Sequence, residues 1–431
     1  MHTRSNFWGV LILLIGAIAG AVITHAGVYH RLIIFASLLI VISWIWAKLS
    51  IAKVELQRES RGERQQLGQV FEEQFTVSNV FPFSKSWIEI EDASRMLSSG
   101  STRVLSAVRP NSVRNYSGYT LLSKRGEYAL SPTIIYSGDP FGLFLNKKVI
   151  ESHEQLLVLP FLFDLNRFQL PTGQLPGGTS LRRRTREVQP PNAAGIREYS
   201  AGDSLNRIHW PSTARRDRWM VKEFEQDPQA DIWILLDAQS EVHVQVDVQP
   251  QDLDQIPLWW LHRSSYKLPA DTFEYATSLA GSIARYFSRN GQVVGFASQA
   301  KQRIILSSER GERQLKKILK TLSLLNPDGT TPINSLIETQ AAFLPRGSTV
   351  ILITPTTQNS LMSAVVSLIQ RGLNPLVILI DPSSFGRYYG ASTIAGNLKS
   401  WNVPHLVIRS GQDLKQVVEH GFTETQVKYS T

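Results

Sequence analysis

Cysteine is absent from the chain. That excludes disulfides, thiolate metal ligands and a cysteine nucleophile, and it allows a reducing compartment. Charged residues make up only 19% of the 431 positions, against 42% hydrophobic ones, a lower charge content than folded proteins usually carry. The chain has no G-x-S-x-G nucleophile elbow, no H-E-x-x-H zinc motif and no phosphate-binding glycine loop. What is present is length for two or three hydrophobic cores and an unevenly placed net charge of +9. Between Leu181 and Phe224, ten Arg or Lys face five Asp or Glu, a local excess of +5 in about a tenth of the chain.

Residues 1–52 read as a membrane hairpin. Phe7 to Thr24 is eighteen residues without a charge, and after a short turn Leu32 to Ala47 is a second apolar run. Each is long enough, or nearly so once Lys48 snorkels, to cross a bilayer. Trp8, Trp44 and Trp46 stand near the ends, where indoles favour the interface. A cleaved signal peptide is the rival reading, and a second apolar run so soon after the first argues against it. Arg4 precedes the first span, and Lys48, Lys53, Arg58, Arg61 and Arg64 follow the second, whereas the connecting loop carries only Arg31. The positive-inside rule then predicts that both ends, and the bulk of the chain, face the cytoplasm at the inner membrane.

Residues 53–160 alternate with period two: Phe75 and Val77 with Gln74 and Thr76, Ile88 and Ile90 with Glu89 and Glu91. Such alternation between turn residues predicts half-buried strands and a small β-sandwich. In Ser137-Gly138-Asp139-Pro140-Phe141-Gly142, Asp before Pro and Gly three positions after Asp fit a type I turn.

From 231 to 431 the pattern becomes alternating strand and helix, which predicts a doubly wound, mostly parallel sheet covered on both faces. Candidate strands are Ile232 to Leu236, Gln292 to Ala297, Arg303 to Leu306, Thr349 to Ile353, Leu376 to Ile380 and His405 to Ile408. Phe273, Ala276, Ala280, Ile283 and Phe287 mark one face of a helix. Further helices are expected over Glu312 to Leu325, Ile333 to Phe343, Ser360 to Gln370 and Asp413 to Glu419, with Gln239 to Ala270 as an insertion. Sheets of this kind bind ligands beyond the carboxyl ends of their strands. That singles out Asp237, the Thr330-Thr331 loop and Thr354.

Between the β-rich and α/β parts lies a junction, 161–230, denser in chemistry than a linker. Ala201-Gly202 predicts a turn, Asp203 caps a short helix running through Ile208 and Trp210, and Pro211 disfavours its continuation. Arg215, Arg216 and Arg218 surround a turn at Asp217. Two readings stand side by side. In one, Arg197, Glu198, Asp203 and Arg207 pair among themselves as an internal latch. In the other, the guanidinium groups form a docking surface for an acidic partner or anionic lipid. His209 beside Trp210 reads as a hydrogen-bonded structural residue, since no catalytic partner is in view. The basic run Arg182-Arg183-Arg184-x-Arg186 is followed directly by Glu187, which together with the membrane anchor argues against nucleic acid.

Arg197-Glu198-Tyr199, Gly202-Asp203, Arg207-Ile208-His209-Trp210, Ala214-Arg215 and Lys222-Glu223-Phe224 follow one another in this order. With Arg125-Gly126-Glu127-Tyr128 and Asp139-Pro140-Phe141-Gly142-Leu143-Phe144, they resemble the membrane-anchored bacterial family known as domain of unknown function fifty-eight. The resemblance implies a von Willebrand factor A-like C-terminal domain and a protein working beside MoxR-type AAA ATPases, without an established catalytic role. It also implies a place for a divalent cation, held in such domains by Asp-x-Ser-x-Ser with a distant Thr and Asp, hard oxygen ligands suited to magnesium. Here the first loop reads Asp237-Ala238-Gln239-Ser240-Glu241, and only Asp237 and Thr330 (or Thr331) match. A degenerate cation site is one expectation, and a carboxylate capping its own turn is the other. The preferred function is a non-enzymatic, membrane-tethered adaptor. Its rivals are a metal-dependent enzyme using Asp237 and a structural envelope organiser.

Overall fold

A computed structural model of the chain describes residues 2–3, 5–24, 26–60, 62–92, 102–168, 193–200, 208–224, 231–245 and 266–421. The chain forms two compact units. The first comprises Met1–Leu162, Gln245–Gly281 and Leu319–Leu325; the second comprises Phe163–Val244, Ser282–Ile318 and Asn326–Thr431.

In the first unit a two-residue strand β1 (His2–Thr3) precedes helices α1 (Ser5–Thr24) and α2 (Gly27–Ser50). Both helices contain segments long and apolar enough to cross a membrane, and they expose most of their surface. Strands then follow in close succession: β2 (Val54–Ser60), β3 (Arg64–Gln66), β4 (Val70–Asn79), β5 (Lys85–Asp92), β6 (Arg103–Val108), β7 (Ser112–Leu121), β8 (Gly126–Ala129), β9 (Thr133–Gly138), β10 (Phe144–Ile150) and β11 (Gln155–Leu159). They form sheets of order β1-β10-β9-β5-β6, β2-β4-β7 and β3-β11-β8. Alternate residues of β4 and β5 point inward, as period-two patterning requires. Phe75, Val77 and Tyr116 from one sheet and Ile88, Ile90 and Ile135 from another share a single core. This is the face-to-face packing of a β-sandwich. Phe75 and Tyr116, paired across β4 and β7, stack with ring centroids 4.9 Å apart.

A charged cluster is buried within this sandwich. Arg58 Nε donates to Glu73 Oε1 at 2.7 Å, and its two Nη atoms reach Asp92, the Leu130 carbonyl and Thr133. Burial raises the Glu73 carboxyl to about 7 although Arg58 pulls it down. The turn at Asp139 forms as expected: its carboxylate accepts from the Phe141 and Phe144 amides at 2.9 and 2.6 Å.

The second unit begins with β12 (Ala193–Glu198), a short helix α3 (Trp210–Arg216) and β13 (Met220–Phe224). There follow β14 (Ile232–Leu236), α4 (Thr272–Arg289, of which the part up to Gly281 belongs to the first unit), β15 (Val294–Gln299), β16 (Arg303–Glu309), α5 (Glu312–Leu324, of which the part from Leu319 belongs to the first unit) and α6 (Ile333–Ala341). The chain continues through β17 (Thr349–Thr354), α7 (Ser360–Gln370), β18 (Asn374–Ile380), α8 (Ser392–Ser400), β19 (His405–Ile408) and α9 (Leu414–His420). The six-stranded sheet has the order β16-β15-β14-β17-β18-β19. Numbered within the sheet this is 3-2-1-4-5-6, the doubly wound arrangement, with only the edge strand β16 antiparallel. Every residue of β14 and β17 is buried, which is why they read as unbroken apolar runs. Leu235, Val350, Leu352, Val377 and Leu379 pack against Leu336, Ile337, Val365, Leu368 and Ile394 from α6, α7 and α8.

Three expectations are corrected. The junction helix does not run through Ile208. That residue is extended and bridged to Val221, and the helix starts at Trp210 with Pro211 in its first turn. Proline lacks only an amide that the first turn leaves unpaired anyway, so it opens a helix as readily as it stops one. Helix α8 was not expected, because Gly396 and Asn397 dilute a pattern that rests on Ile394 and Leu398 alone. The boundaries at 160 and 231 are also too simple, since segments 245–281 and 319–325 cluster with the N-terminal unit. Within the insertion, residues 246–265 lie outside the described residues.

Candidate functional site

Two places in the second unit concentrate chemistry. The first is the carboxyl edge of the sheet. Strand β14 delivers Asp237 to its end as a carboxylate only 2% exposed. The Thr354 hydroxyl, at the end of neighbouring β17, donates to Asp237 Oδ2 at 2.6 Å, and the Gln239 amide donates to Oδ1 at 3.0 Å. Burial raises the carboxyl to about 6, and these two donors hold it down from going higher. The Asp237 carbonyl lies 3.1 Å from His243 Nε2.

The second loop of this edge is knit to the first. Gly329 donates its amide to the Ala238 carbonyl at 2.9 Å and accepts from the Ser240 amide at 2.8 Å. A Cβ at Gly329 would stand 2.5 Å from the Gln299 carbonyl and 2.9 Å from that of Ala238, so only glycine permits this approach. The structure thereby brings the loops carrying Asp237 and Thr330 side by side. Thr330 itself is exposed, and Thr331 accepts from Gln299 Nε2 at 3.3 Å. Glu241 is exposed and bonded to Gln239 Nε2 at 3.3 Å. Among the described residues, no group of three or more His, Cys, Asp or Glu side chains gathers to hold a metal. The Asp237 carboxylate caps its own turn through the Gln239 amide and is tied to Thr354. His243 carries no sequence signal, since it falls in an irregular insertion.

The second place is the signature hairpin. β12 and β13 pair antiparallel, and the Tyr199 amide donates to the Trp219 carbonyl at 2.8 Å. His209 donates its amide to the Met220 carbonyl at 2.7 Å and caps α3, its Nδ1 lying 2.7 Å from Ser212 Oγ and 3.3 Å from the Ser212 amide. The Met220 amide donates to Thr213 Oγ1 at 3.0 Å, and Asp217 closes the helix in the left-handed region at φ 50°. His209 is thus a positioning residue for the helix, as its sequence context indicated. Tyr199 and Trp219 meet edge to face at 5.6 Å.

Glu198 pairs with Arg218 at 2.8 Å in the open, a partner outside the set expected for an internal latch. Arg197 lies in β12 opposite Val221. Gly202, Asp203 and Arg207 lie outside the described residues. Trp210 is 67% exposed and Trp219 55%, with Arg215 and Arg216 exposed beside them. The hairpin therefore presents two indoles and a set of guanidinium groups outward.

Residues 195–249 of the chain match the family described as "Protein of unknown function DUF58". The chain is 25% identical over 210 residues to "Uncharacterized protein YeaD" of Bacillus subtilis (strain 168), a match covering 49% of this chain and 45% of that protein. The chain therefore spans less than half the length of this relative. Among solved structures, conserved hypothetical protein BatB from Bacteroides thetaiotaomicron is 14% identical, covering 44% of this chain and 95% of that one, with a TM-score of 0.30. The CARDB domain of PF1109 from Pyrococcus furiosus, in complex with di-metal ions, is 9% identical over 25% of this chain and 88% of that one, at a TM-score of 0.19. Neither structural likeness is strong enough to carry an argument. The family match lies over the signature hairpin and the strand that follows it.

Proposed function

We propose that this protein is a membrane-tethered interaction protein without chemistry of its own. In this reading α1 and α2 anchor it in the inner membrane, with both helix ends and the folded units on the cytoplasmic side, as the flanking Lys and Arg residues favour. The α/β unit is von Willebrand factor A-like, a reading supported by its 3-2-1-4-5-6 strand order and by an Asp at the end of the first strand. The signature hairpin engages a partner, a MoxR-type AAA ATPase by the family resemblance.

The observation that carries the reading is the outward display of Trp210 and Trp219 beside Arg215, Arg216 and Arg218. Tryptophan and arginine are the side chains that dominate binding energy at protein interfaces. Exposed indoles on a hydrogen-bonded hairpin, with a histidine used to cap its helix, suit docking better than catalysis. The Glu198–Arg218 pair is too exposed to hold a fold together, since solvent screens such pairs. The test is affinity purification of the tagged full-length chain from solubilised membranes. Enrichment of an AAA ATPase over a mock purification supports the reading, and its absence removes it.

The metal-dependent alternative using Asp237 and Thr330 is not favoured. Asp237 is buried and already accepts two hydrogen bonds, and magnesium demands a nearly complete octahedral oxygen set.

A further inference from the structure

The first unit carries a feature at the open end of the helix hairpin that the proposed function does not use. The turn 139–144 is built against the helices. Leu143 and Phe144 are buried with Ala47, and Phe7 and Val10 of α1 pack against them. The Phe144 and Phe7 ring centroids lie 5.4 Å apart, and Asn6 Nδ2 reaches the Phe141 carbonyl at 3.5 Å. Strand β1, just before α1, pairs with β10 through Thr3 and Phe144.

The other helix, α2, is anchored to the same sandwich at the same open end. Lys85 Nζ donates to the Leu49 carbonyl and, at 3.2 Å, to that of Ala52, while Asn146 Nδ2 donates to the Ala47 carbonyl. These donors add to the capping of carbonyls at the C-terminal end of α2, and the ammonium sits at the negative end of the helix dipole. The neighbouring loop 80–84 is held by Val80 N to Lys53 O at 3.2 Å and by Asn79 Nδ2 to the Phe83 carbonyl at 2.9 Å.

Helix length places the turn 139–144 at the end of a membrane-length span, and the loop 80–84, tethered through Lys85 and Val80 to residues 49–53, just beyond it. A bilayer core of about 30 Å takes about 20 helical residues. Counted from the turn at Ala26, that length ends near Phe7 on α1 and near Ala47 on α2, the residues to which turn 139–144 and Asn146 attach. At this level Phe141 is 52% exposed, Phe83 62% and Val80 50%. Lys48, Lys53 and Arg109 are exposed around them. Apolar tips inside a basic rim, continuous with two apolar helices, match the boundary between acyl chains and anionic headgroups.

We propose that the turn 139–144 and the loop 80–84 are a lipid-embedded foot: Phe141, Phe83 and Val80 enter the headgroup boundary and seat the β-sandwich on the bilayer. The foot rests on the reading of α1 and α2 as membrane spans. Because the chain has no cysteine, single substitutions Phe141→Cys, Phe83→Cys, Glu151→Cys and Ile12→Cys can each be labelled with an environment-sensitive fluorophore. The full-length variants are reconstituted in vesicles of phosphatidylethanolamine and phosphatidylglycerol doped with nitroxide-labelled lipid. Glu151, exposed one residue past the end of β10, is seven residues from Phe144, roughly 23 Å away along an extended chain. Labels at 141 and 83 should emit to the blue of the label at 151 and be quenched several-fold more. If they match the label at 151 while that at Ile12 in α1 is quenched, the foot is wrong and the spans stand. If Ile12 is not quenched either, the membrane reading fails and the foot with it.

Discussion

Arg125 Nη1 donates to Glu274 Oε1 across 149 residues of sequence, and both side chains are largely buried. The same guanidinium spends its other donors on the Leu322 and Leu325 carbonyls, at 3.0 and 2.6 Å, where α5 ends. Its carbon lies 4.8 Å from the Phe273 ring centroid. One side chain of the Arg-Gly-Glu-Tyr motif thus closes a helix C-terminus, neutralises a buried carboxylate and covers an aromatic face.

Arg125→Ala should therefore destabilise by about 3–5 kcal/mol, because it strands Glu274 without a cation. Adding Glu274→Gln should recover part of that loss. Arg125→Lys should not restore stability, since an ammonium cannot serve three acceptors in a planar fork. Thermal denaturation of the purified chain in detergent checks all three variants.

Glu73 gives a pH signature. Its carboxyl is raised from 4.5 to about 7 in the folded chain, chiefly by burial. The folded state then binds this proton more tightly than the unfolded chain. The stabilisation is fully present below the unfolded value and is lost as pH rises through about 7. Compared at pH 5 and pH 8, Glu73→Gln should show less loss of melting temperature on raising the pH than the native chain. Equal loss in both would remove the argument.

Asp237 acts with the same sign over a lower window, from 3.8 to about 6. Asp237→Ala should destabilise by roughly 1–3 kcal/mol, because the buried Thr354 hydroxyl loses its acceptor. The substitution should leave partner binding by the hairpin unchanged. Calorimetric titration of the native chain with magnesium or manganese should give no heat that Asp237→Ala abolishes.

Gly329→Ala should open the sheet edge. A methyl group there meets two carbonyl oxygens closer than 3.0 Å, so the Ala238–Gly329 bridge must separate. Hydrogen exchange at the Ser240 amide, which donates to Gly329, should accelerate well beyond that of amides in β18.

The sheet was legible because β14, β17 and β18 are buried on both faces, so unbroken apolar runs marked them. The helices with dense apolar faces, α4 and α7, were legible for the same reason. Helix α8 was not, because its face is two residues wide. The two halves of the signature hairpin were visible as a charge-rich block, but the helix start was misplaced because Pro211 carries either meaning. Which sequence-distant partners would meet (Arg125 with Glu274, Arg58 with Glu73 and Asp92) was out of reach. Charge patterning shows that a cation exists, and only the fold decides which carboxylate it buries with.

The most direct measurement pairs binding with stability on one variant. Arg215→Glu combined with Arg216→Glu reverses two exposed guanidinium groups that no described hydrogen bond or ion pair holds in the fold. Affinity purification from membranes and thermal denaturation are run on the native chain and on this variant. A docking surface predicts that an AAA ATPase co-purifies with the native chain and is lost from the variant, while the melting temperature stays the same. An undiminished ATPase yield with the variant, or a melting temperature that falls in step with binding, would contradict it.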